Sequence, residues 1–441
     1  GGQTEFSYDT VGKLLRKIVR AEPEHSNIVD IFEYDLAGNL VSHSDQLGRT
    51  TPNRYDARGR MIESTRHDGA TISLDDDGND NVTRITDATG AIHTARYDVA
   101  GRVTELTDAA ARSTRFRYDA GGQLVSRTDR NGRVIEWIYD DLGRPTNETW
   151  IDPDGTIVET INITYDALGG VLRMESSAAS LQNRFDESRQ IVEQSARYGE
   201  PFHPIVVIQR AHDEAGNVVS VKQTIDGNLF AETNYVYDAL RQVISAAQTG
   251  PTLSDKRVDF DYDLLGQLVG VSRFSDLAGT QPVADTTQQF ESRNLLTAVT
   301  HRGPSGATIG HSNVDYDDGL RPVRVESPAG TDLYSYDSLD RLVSVQRDGQ
   351  AGFVEEYEYD IQGNRIRSHL HDSYGLDAGQ RLRTDGTFRY DYDLEGNLVL
   401  RTDAATGAAR TLRWNHRNQL TSVIDRDGTG ELLQQVDYRY D

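Results

Sequence analysis

The chain has 441 residues and a formal net charge of −24, because 46 Lys and Arg are set against 70 Asp and Glu. This acidic balance argues against nucleic acid or an anionic membrane as the main partner, since neutralising phosphate requires clustered Lys and Arg. The absence of Cys excludes a disulfide framework, a Cys-ligated zinc site and a Cys nucleophile.

The opening residues Gly1-Gly2-Gln3-Thr4 do not form a secretory signal peptide. The longest apolar run near the middle, Ile205 to Ile208, is far shorter than the ~20 residues of a membrane helix. A hydrophobic content of 36% and a mean hydropathy of −0.61 lean towards disorder. The 21 Tyr, spread evenly, and the 39 Gly favour a folded chain with many tight turns.

A seven-residue unit recurs from one end of the chain to the other. It consists of Tyr-Asp, two variable residues, Gly, a polar residue and an aliphatic residue, as in Tyr118-Asp119-Ala120-Gly121-Gly122-Gln123-Leu124. We expect its Tyr, Asp and Gly to be structural, and the clearest copies contain Tyr8, Asp9, Gly12, Tyr34, Asp35, Gly38, Tyr55, Asp56, Gly59, Tyr97, Asp98, Gly101, Tyr118, Asp119, Gly122, Tyr139, Asp140, Gly143, Tyr165, Asp166, Gly169, Tyr262, Asp263, Gly266, Tyr359, Asp360, Gly363, Tyr392, Asp393 and Gly396.

Twenty copies can be placed, with a mean period of about 23 residues, which is typical of repeat architectures. Fourteen carry Tyr-Asp itself. The others are degenerate: Leu74-Asp75, Phe185-Asp186, His212-Asp213, Phe290-Glu291, Leu376-Asp377 and Trp414-Asn415. The sequence therefore predicts one continuous array over residues 1–441, within a larger protein, rather than separate domains.

The unit predicts a tight turn between two strands. Asp at the first turn position bonds its own backbone, and Gly at the fourth accepts a left-handed conformation. A second turn signal lies between copies, as in Asp129-Arg130-Asn131-Gly132 and in Asp-Gly pairs such as Asp226-Gly227. We also interpret Asp152-Pro153-Asp154-Gly155 as a turn.

Residues between the turns alternate in the period of two that indicates β-strands, as in Ile135, Trp137 and Tyr139. Each repeat is then a β-hairpin, and a hairpin buries its apolar face only against neighbours. We predict an all-β fold in which about twenty hairpins form one antiparallel strip. Accumulated twist coils such a strip into a spiral shell; the alternatives are a β-propeller and a filled β-spiral filament.

On these motifs the chain resembles the RHS/YD-repeat family over essentially its whole length. The resemblance implies a long β-strip wound into a hollow shell. In bacterial Rhs proteins and toxin-complex C components such a shell encloses a C-terminal toxic domain, and in teneurin-like proteins it is an extracellular scaffold used in adhesion. The C-terminal Asp-Pro-x-Gly-Leu segment of family shells is not matched, because Asp152-Pro153-Asp154-Gly155 lies mid-chain and is followed by Thr156.

No Gly-x-Ser-x-Gly, His-Glu-x-x-His, P-loop or Rossmann fingerprint occurs. His369 and His371 would share one strand face, as a metal pair requires, but two solvated polar residues are the simpler interpretation. The runs Asp75 to Gly78 and Asp425 to Gly430 faintly resemble calcium loops, which turn chemistry explains as well. We expect no enzyme activity, no cofactor and no metal, and a Tyr ladder that serves packing rather than sugar stacking.

The sequence therefore predicts a non-enzymatic β-shell segment of a secreted or cell-surface bacterial protein. Its expected partner is an enclosed or C-terminal cargo domain outside this chain, such as a toxin or effector. The alternative is an extracellular filament or an adhesin that binds glycan or protein. Neither alternative involves nucleic acid or insertion into a membrane.

Overall fold

A computed structural model describes residues 3–19, 27–199, 204–348, 354–377, 379–438 and 440. These ranges contain 39 β-strands and no helix. Two residues of the predicted turns lie outside the described residues: Gly349, of a further Asp-Gly pair at Asp348, and Asp441, of the last Tyr-Asp pair.

The first twenty strands are β1 (Thr4–Tyr8), β2 (Leu14–Val19), β3 (Ile28–Tyr34), β4 (Leu40–Ser44), β5 (Thr50–Tyr55), β6 (Met61–Thr65), β7 (Thr71–Asp76), β8 (Val82–Thr86), β9 (Ile92–Tyr97), β10 (Val103–Thr107), β11 (Ser113–Tyr118), β12 (Leu124–Thr128), β13 (Val134–Tyr139), β14 (Pro145–Ile151), β15 (Ile157–Tyr165), β16 (Val171–Glu175), β17 (Ala179–Phe185), β18 (Ile191–Tyr198), β19 (Ile205–His212) and β20 (Val218–Ile225). The others are β21 (Asn228–Tyr237), β22 (Val243–Gly250), β23 (Leu253–Tyr262), β24 (Leu268–Phe274), β25 (Pro282–Phe290), β26 (Leu296–Arg302), β27 (Thr308–Tyr316), β28 (Pro322–Ser327), β29 (Gly330–Tyr336), β30 (Leu342–Arg347), β31 (Val354–Tyr359), β32 (Arg365–Ser368), β33 (Gly375–Leu376), β34 (Leu382–Thr384), β35 (Phe388–Tyr392), β36 (Leu398–Asp403), β37 (Ala409–Trp414), β38 (Leu420–Arg426) and β39 (Leu432–Asp437).

Strands pair antiparallel with their neighbours in sequence, as the hairpin pattern predicts. β1 to β32 form one 32-stranded sheet, and β33 to β39 form a 7-stranded sheet. The all-β antiparallel strip is thus confirmed, with one break between β32 and β33. A β-propeller would instead divide the chain into separate blades.

The turn after each Tyr-Asp pair has one recurring geometry. In the hairpin of β11 and β12, the Asp119 N–H donates to Gln123 O at 3.0 Å and the Gly122 N–H donates to Asp119 O at 3.1 Å. Gly122 has a φ of 92°, the left-handed region in which a Cβ is strained. The register shifts between Arg117 and Tyr118, and such a bulge strengthens the twist of the strip.

The same turn also occurs at the opposite edge of the strip, for example at Asp129–Gly132 and Asp152–Gly155. We call the edge with the Tyr-Asp turns the YD edge and the opposite one the second-turn edge. The predicted copy at Leu74-Asp75 was placed two residues too early. The turn begins at Asp77, and Asp76 occupies the aromatic position, pairing with Val82.

The wall is one sheet thick. Among the described residues no large side chain is fully buried, and only six hydrophobic residues are classed as buried. The accessible surface of 25475 Å² far exceeds the roughly 16,700 Å² of a compact protein of this mass. A filled spiral would bury side chains along its axis, so this alternative does not describe the fold.

The strip coils until its later part lies against its beginning. We call residues 3–290 the first coil and residues 291–440 the second coil. The YD edge of the second coil, at residues 317–418, contacts the second-turn edge of the first coil, at residues 45–155. We call this contact the seam.

Candidate functional site: turn edges and seam

In most of the Tyr-Asp repeats, the Tyr hydroxyl is hydrogen-bonded to the preceding repeat. The Tyr118 hydroxyl donates to Val103 O at 3.0 Å, and the Tyr139 hydroxyl donates to Leu124 O at 2.7 Å. The same bond is formed by Tyr55, Tyr97, Tyr165, Tyr237, Tyr262, Tyr316, Tyr336, Tyr359 and Tyr440, and by the Trp414 indole. Since these polar groups are used within the wall, the aromatic ladder joins hairpins to one another.

The Asp of each unit caps its own turn. Asp98 Oδ1 accepts from the N–H of Ala100 at 2.9 Å and of Arg102 at 3.0 Å. Hydrogen bonds to the charged form favour it. The side chain and backbone of Arg102 accordingly hold the pKa of Asp98 below its ordinary value. At Asp56 the equivalent bonds, led by the Arg60 side chain, lower the pKa to about 2.

Sequence reasoning overlooked an Arg that in several repeats directly follows the fourth turn position. Arg102 Nε donates to Asp98 Oδ2 at 2.7 Å, and its guanidinium carbon lies 4.7 Å from the Tyr118 ring centroid in the next repeat. Another nitrogen of Arg102 donates to Asp119 O at 3.4 Å. Arg144, Arg321, Arg341 and Arg381 make equivalent sets of contacts. The available signal was the recurrence of Arg directly after the fourth turn position, which is Gly before Arg102 and Arg144 but Leu320, Asp340 or Gln380 before the other three.

At the beginning of the seam, cationic and polar side chains of the first coil bind the YD turns of the second coil. Arg49 donates to Ser338 O at 3.1 Å and forms an ion pair with Asp340 at 2.8 Å. The His67 ring is 2.7 Å from Ser338 O, and Arg66 donates to Ile361 O at 2.8 Å. These partners lie more than 270 residues apart in sequence.

Further along, amide side chains join the two coils. Asn131 Nδ2 donates to Asp393 Oδ2 at 3.0 Å, while Asn131 Oδ1 accepts from the Leu394 N–H at 2.8 Å. Arg133 donates to Asn415 O at 2.7 Å. The seam therefore advances by about 20 residues on each coil per contact. It joins each second turn to the YD turn about twelve repeats later.

The seam ends at a buried carboxylate. Glu148 accepts from the indole N–H of Trp137 at 3.0 Å and of Trp150 at 2.5 Å. Arg417 of the second coil donates to both carboxylate oxygens, at 3.0 and 2.7 Å. Burial alone would raise the pKa of Glu148, but the bonds from Arg417 and the two indoles outweigh it and lower the pKa.

An open groove adjoins this carboxylate. It is lined by Trp150, Met174, Leu181, Tyr198 and Tyr438, among others, and has a volume of ≈ 200 Å³. The groove lies where the last repeat of the second coil approaches β16 to β18. The groove is mainly apolar. It lies where the next contact of the seam would follow, one repeat beyond the contact between Glu148 and Arg417.

The two histidines considered as a metal pair, His369 and His371, have other partners. His369 and His371 do not share a strand face, because Ser368 to His371 is a tight turn. His369 packs edge-on against Tyr357, and the His371 ring is 2.9 Å from Thr387 Oγ1. That prediction of a shared face was wrong, since the strand ends at Ser368.

The carboxylates of the two acidic runs likewise have separate partners. Asp75 faces Arg84 at 3.9 Å, whereas Asp76 is near Arg60 at 3.8 Å and Asp77 caps its turn. In the other run, Asp425 pairs with Arg410 and Asp427 caps its turn. Within the described ranges, no three His, Asp or Glu side chains converge as a metal site would require. Nor does the described part of the chain contain a helix long and apolar enough to cross a membrane.

Comparison with known proteins agrees with this geometry. Residues 2–156 match the Teneurin YD-shell family model. Over these residues the chain is similar to the YD-shell family. The resemblance to RHS/YD-repeat proteins is therefore confirmed, and beyond residue 156 it is carried by the fold.

Solved structures extend the likeness in fold over nearly the whole chain. The crystal structure of TcdB2-TccC3-TEV matches with a TM-score of 0.69 and 14% identity, covering 99% of this chain and 28% of that one. The TcdB2-TccC3 crystal structure matches with a TM-score of 0.68 and 14% identity, covering 99% of this chain and 29% of that one. The Photorhabdus luminescens Tc holotoxin pore matches with a TM-score of 0.56 and 14% identity, covering 99% of this chain and 30% of that one. At this identity the likeness shows the fold, and the chain spans less than a third of each of these chains.

Proposed function

We propose that this chain is a non-enzymatic wall segment that encloses, carries or displays a cargo domain, such as a toxin or effector, outside these residues. The observation that carries the proposal is the wall itself. It is a single sheet, accessible on both faces, whose second coil is joined to its first coil by the seam. A hydrogen-bonded sheet that leaves both faces accessible can surround another polypeptide. The Tyr, Asp and Arg contacts account for the turns and edges without leaving a catalytic role for them.

The comparisons support this function by analogy. One matched structure is described as TcdB2-TccC3 without its hypervariable C-terminal region, and it still covers 96% of this chain with a TM-score of 0.55. The likeness therefore lies in the part of that protein other than its hypervariable region. This is consistent with a wall of constant fold that carries a variable C-terminal region. Export, with a secreted or cell-surface location in a bacterium, is part of the proposal.

The test measures protection of a fused cargo. A protease-sensitive unfolded peptide is fused after Asp441 in one variant and before Gly1 in the other, and each is digested under native conditions. We expect cleavage of at least one fused peptide to be at least tenfold slower than cleavage of the same peptide alone. Equal rates for the free peptide and both fusions would contradict enclosure. A cryo-EM map of the chain alone, with an axis free of protein density, is the accompanying structural expectation.

An extracellular filament is the second candidate, and one observation favours it. Aliphatic side chains at the YD turns of the first coil are almost fully exposed, including Leu36, Val99 and Leu264. Exposed aliphatic side chains repeated along a sheet edge offer a surface on which another molecule could dock. An adhesive role through glycan or protein binding remains part of this second candidate.

A further inference from the structure

The seam differs from the junction between neighbouring strands in the kind of bond that holds it. Neighbouring strands are joined by ladders of backbone hydrogen bonds, as between β11 and β12. Across the seam, every hydrogen bond between described residues involves a side chain on at least one side. Separating the two coils therefore breaks side-chain bonds and leaves each strand paired within its own coil.

The bonds at the beginning of the seam are also accessible to water. Arg49 and Asp340 form an ion pair at 2.8 Å, and both side chains remain partly exposed. The bonds of Arg66 and His67 to the second coil are likewise exposed. Ion pairs in such surroundings contribute little to stability and are screened by salt. The other end of the seam, at Glu148, is buried, so the beginning is the weaker end.

We propose that the seam is a slit that opens while the strands on either side stay paired, beginning near Arg49 and held longest at Glu148 and Arg417. Parts of a protein held by solvent-exposed bonds open at a fraction of the free energy of global unfolding. In a wall one sheet thick, such an opening connects the two faces and admits an extended polypeptide. The slit is a property of the wall alone, whereas its use by cargo rests on the proposed function.

Two backbone amides of one turn report the opening in the unmodified chain. The Leu394 N–H donates to Asn131 Oδ1 at 2.8 Å across the seam. The Asp393 N–H donates to Asn397 O at 3.0 Å within its own hairpin. We expect hydrogen exchange to show at least tenfold lower protection at Leu394 than at Asp393, and still lower protection of Leu394 in about 1 M salt, where charges are screened beyond about 3 Å. Equal protection of the two amides would overturn the proposal.

A thiol placed beneath the seam gives an independent readout, because the sequence lacks Cys. Ala70 has the turn position of Arg49, whose side chain crosses the seam, and is 6% exposed. Ala307 has the same position in a turn outside the seam and is exposed. From this difference we infer that the second coil covers Ala70, and a thiol at this position becomes accessible when the coils separate.

Ala70→Cys is compared with Ala231→Cys, which is also 6% exposed but lies within β21. A water-soluble thiol reagent is applied to each folded variant, with Ala307→Cys as the exposed reference. We expect Ala70→Cys to react at least tenfold faster than Ala231→Cys, and at least threefold faster again in about 1 M salt. The rate of Ala231→Cys should not depend on salt.

A rate for Ala70→Cys no higher than that for Ala231→Cys would overturn the proposal, even with rapid exchange at Leu394, because a single bond would then break without separation of the coils. If Ala70→Cys does not fold, the exchange of Leu394 and Asp393 in the unmodified chain decides. Neither measurement involves cargo. A seam that stays closed is therefore distinguishable from a failure of the protease test of enclosure.

Discussion

Arg417 and Glu148 lie 269 residues apart in sequence and form a bidentate ion pair across the seam. Glu148 is 6% exposed and also receives the indole N–H groups of Trp137 and Trp150. A carboxylate buried in this way requires its cation, because removing one partner leaves an uncompensated charge. The pair therefore couples the first coil to the second at the end of the seam.

Arg417→Ala should lower the free energy of unfolding of the second coil by about 1–3 kcal/mol, less than for a fully buried pair because Arg417 is partly exposed. Hydrogen exchange of β37 to β39 measures the change locally. Arg324→Ala, which removes an exposed pair with Glu326, is the matched control and should alter exchange little. Equal effects of the two substitutions would contradict a coupling role for Glu148 and Arg417.

Tyr118→Phe removes the hydroxyl that donates to Val103 O while keeping the ring beside Arg102. We expect a loss of about 0.5–1.5 kcal/mol in the free energy of unfolding. Urea denaturation followed by Trp fluorescence provides the measurement. Tyr8→Phe, at a 56% exposed position on β1, serves as the control and should change stability by less. A neutral Tyr118→Phe would show that the ring alone joins the hairpins.

Gly122→Val should destabilise the hairpin of β11 and β12 by at least ~1–2 kcal/mol, because a left-handed φ of 92° strains a side chain. The neighbouring Gly121→Ala is the control. Its Cβ would be 3.4 Å from Asp119 Oδ1, an ordinary contact, and Gly121 is not among the glycines of positive φ. Thermal denaturation compares the two. Unchanged stability of Gly122→Val would argue against this turn geometry.

The turn carboxyls also predict a pH dependence. Side-chain bonds from Arg60, Arg66 and Arg189 are the leading cause that lowers the pKa of Asp56, Asp68 and Asp166 to about 2 in the folded chain. The ordinary pKa in the unfolded chain is about 3.9. The unfolded state thus binds more protons as the pH falls below about 4, and this part of the stability is lost as the pH approaches 2.

Denaturation midpoints between pH 5 and pH 2 test this expectation, and they should decline most steeply below pH 4. Asp56→Asn keeps an acceptor for the turn but no longer titrates, so its decline should be shallower. A midpoint that does not change down to pH 2 would show that these bonds do not favour the folded state.

Much of the local structure could be predicted because its causes are local. Asp, two free residues and a residue in the left-handed conformation form a tight turn within five residues. The degenerate copy at Phe185-Asp186 forms the same turn, with Arg189 at a φ of 67° in the place of Gly. The wrong placement of the copy at Leu74 also results from relying on the local pattern. The aromatic position is occupied by Asp76, so the pattern Leu-Asp matched two residues before the actual turn. Arg102 was overlooked because the repeat was described only as having a polar residue at this position.

The sequence by itself determined the hairpin, its period and the antiparallel order of strands, since each depends on contacts between neighbouring residues and neighbouring repeats. Only the tertiary structure decided which repeats face each other across the seam. That choice depends on curvature, which adds small twists over about twelve repeats before Glu148 meets Arg417. The sequence pattern of a single repeat does not determine this accumulated curvature. The seam and its exposed edges therefore could not be predicted from the turns that form them.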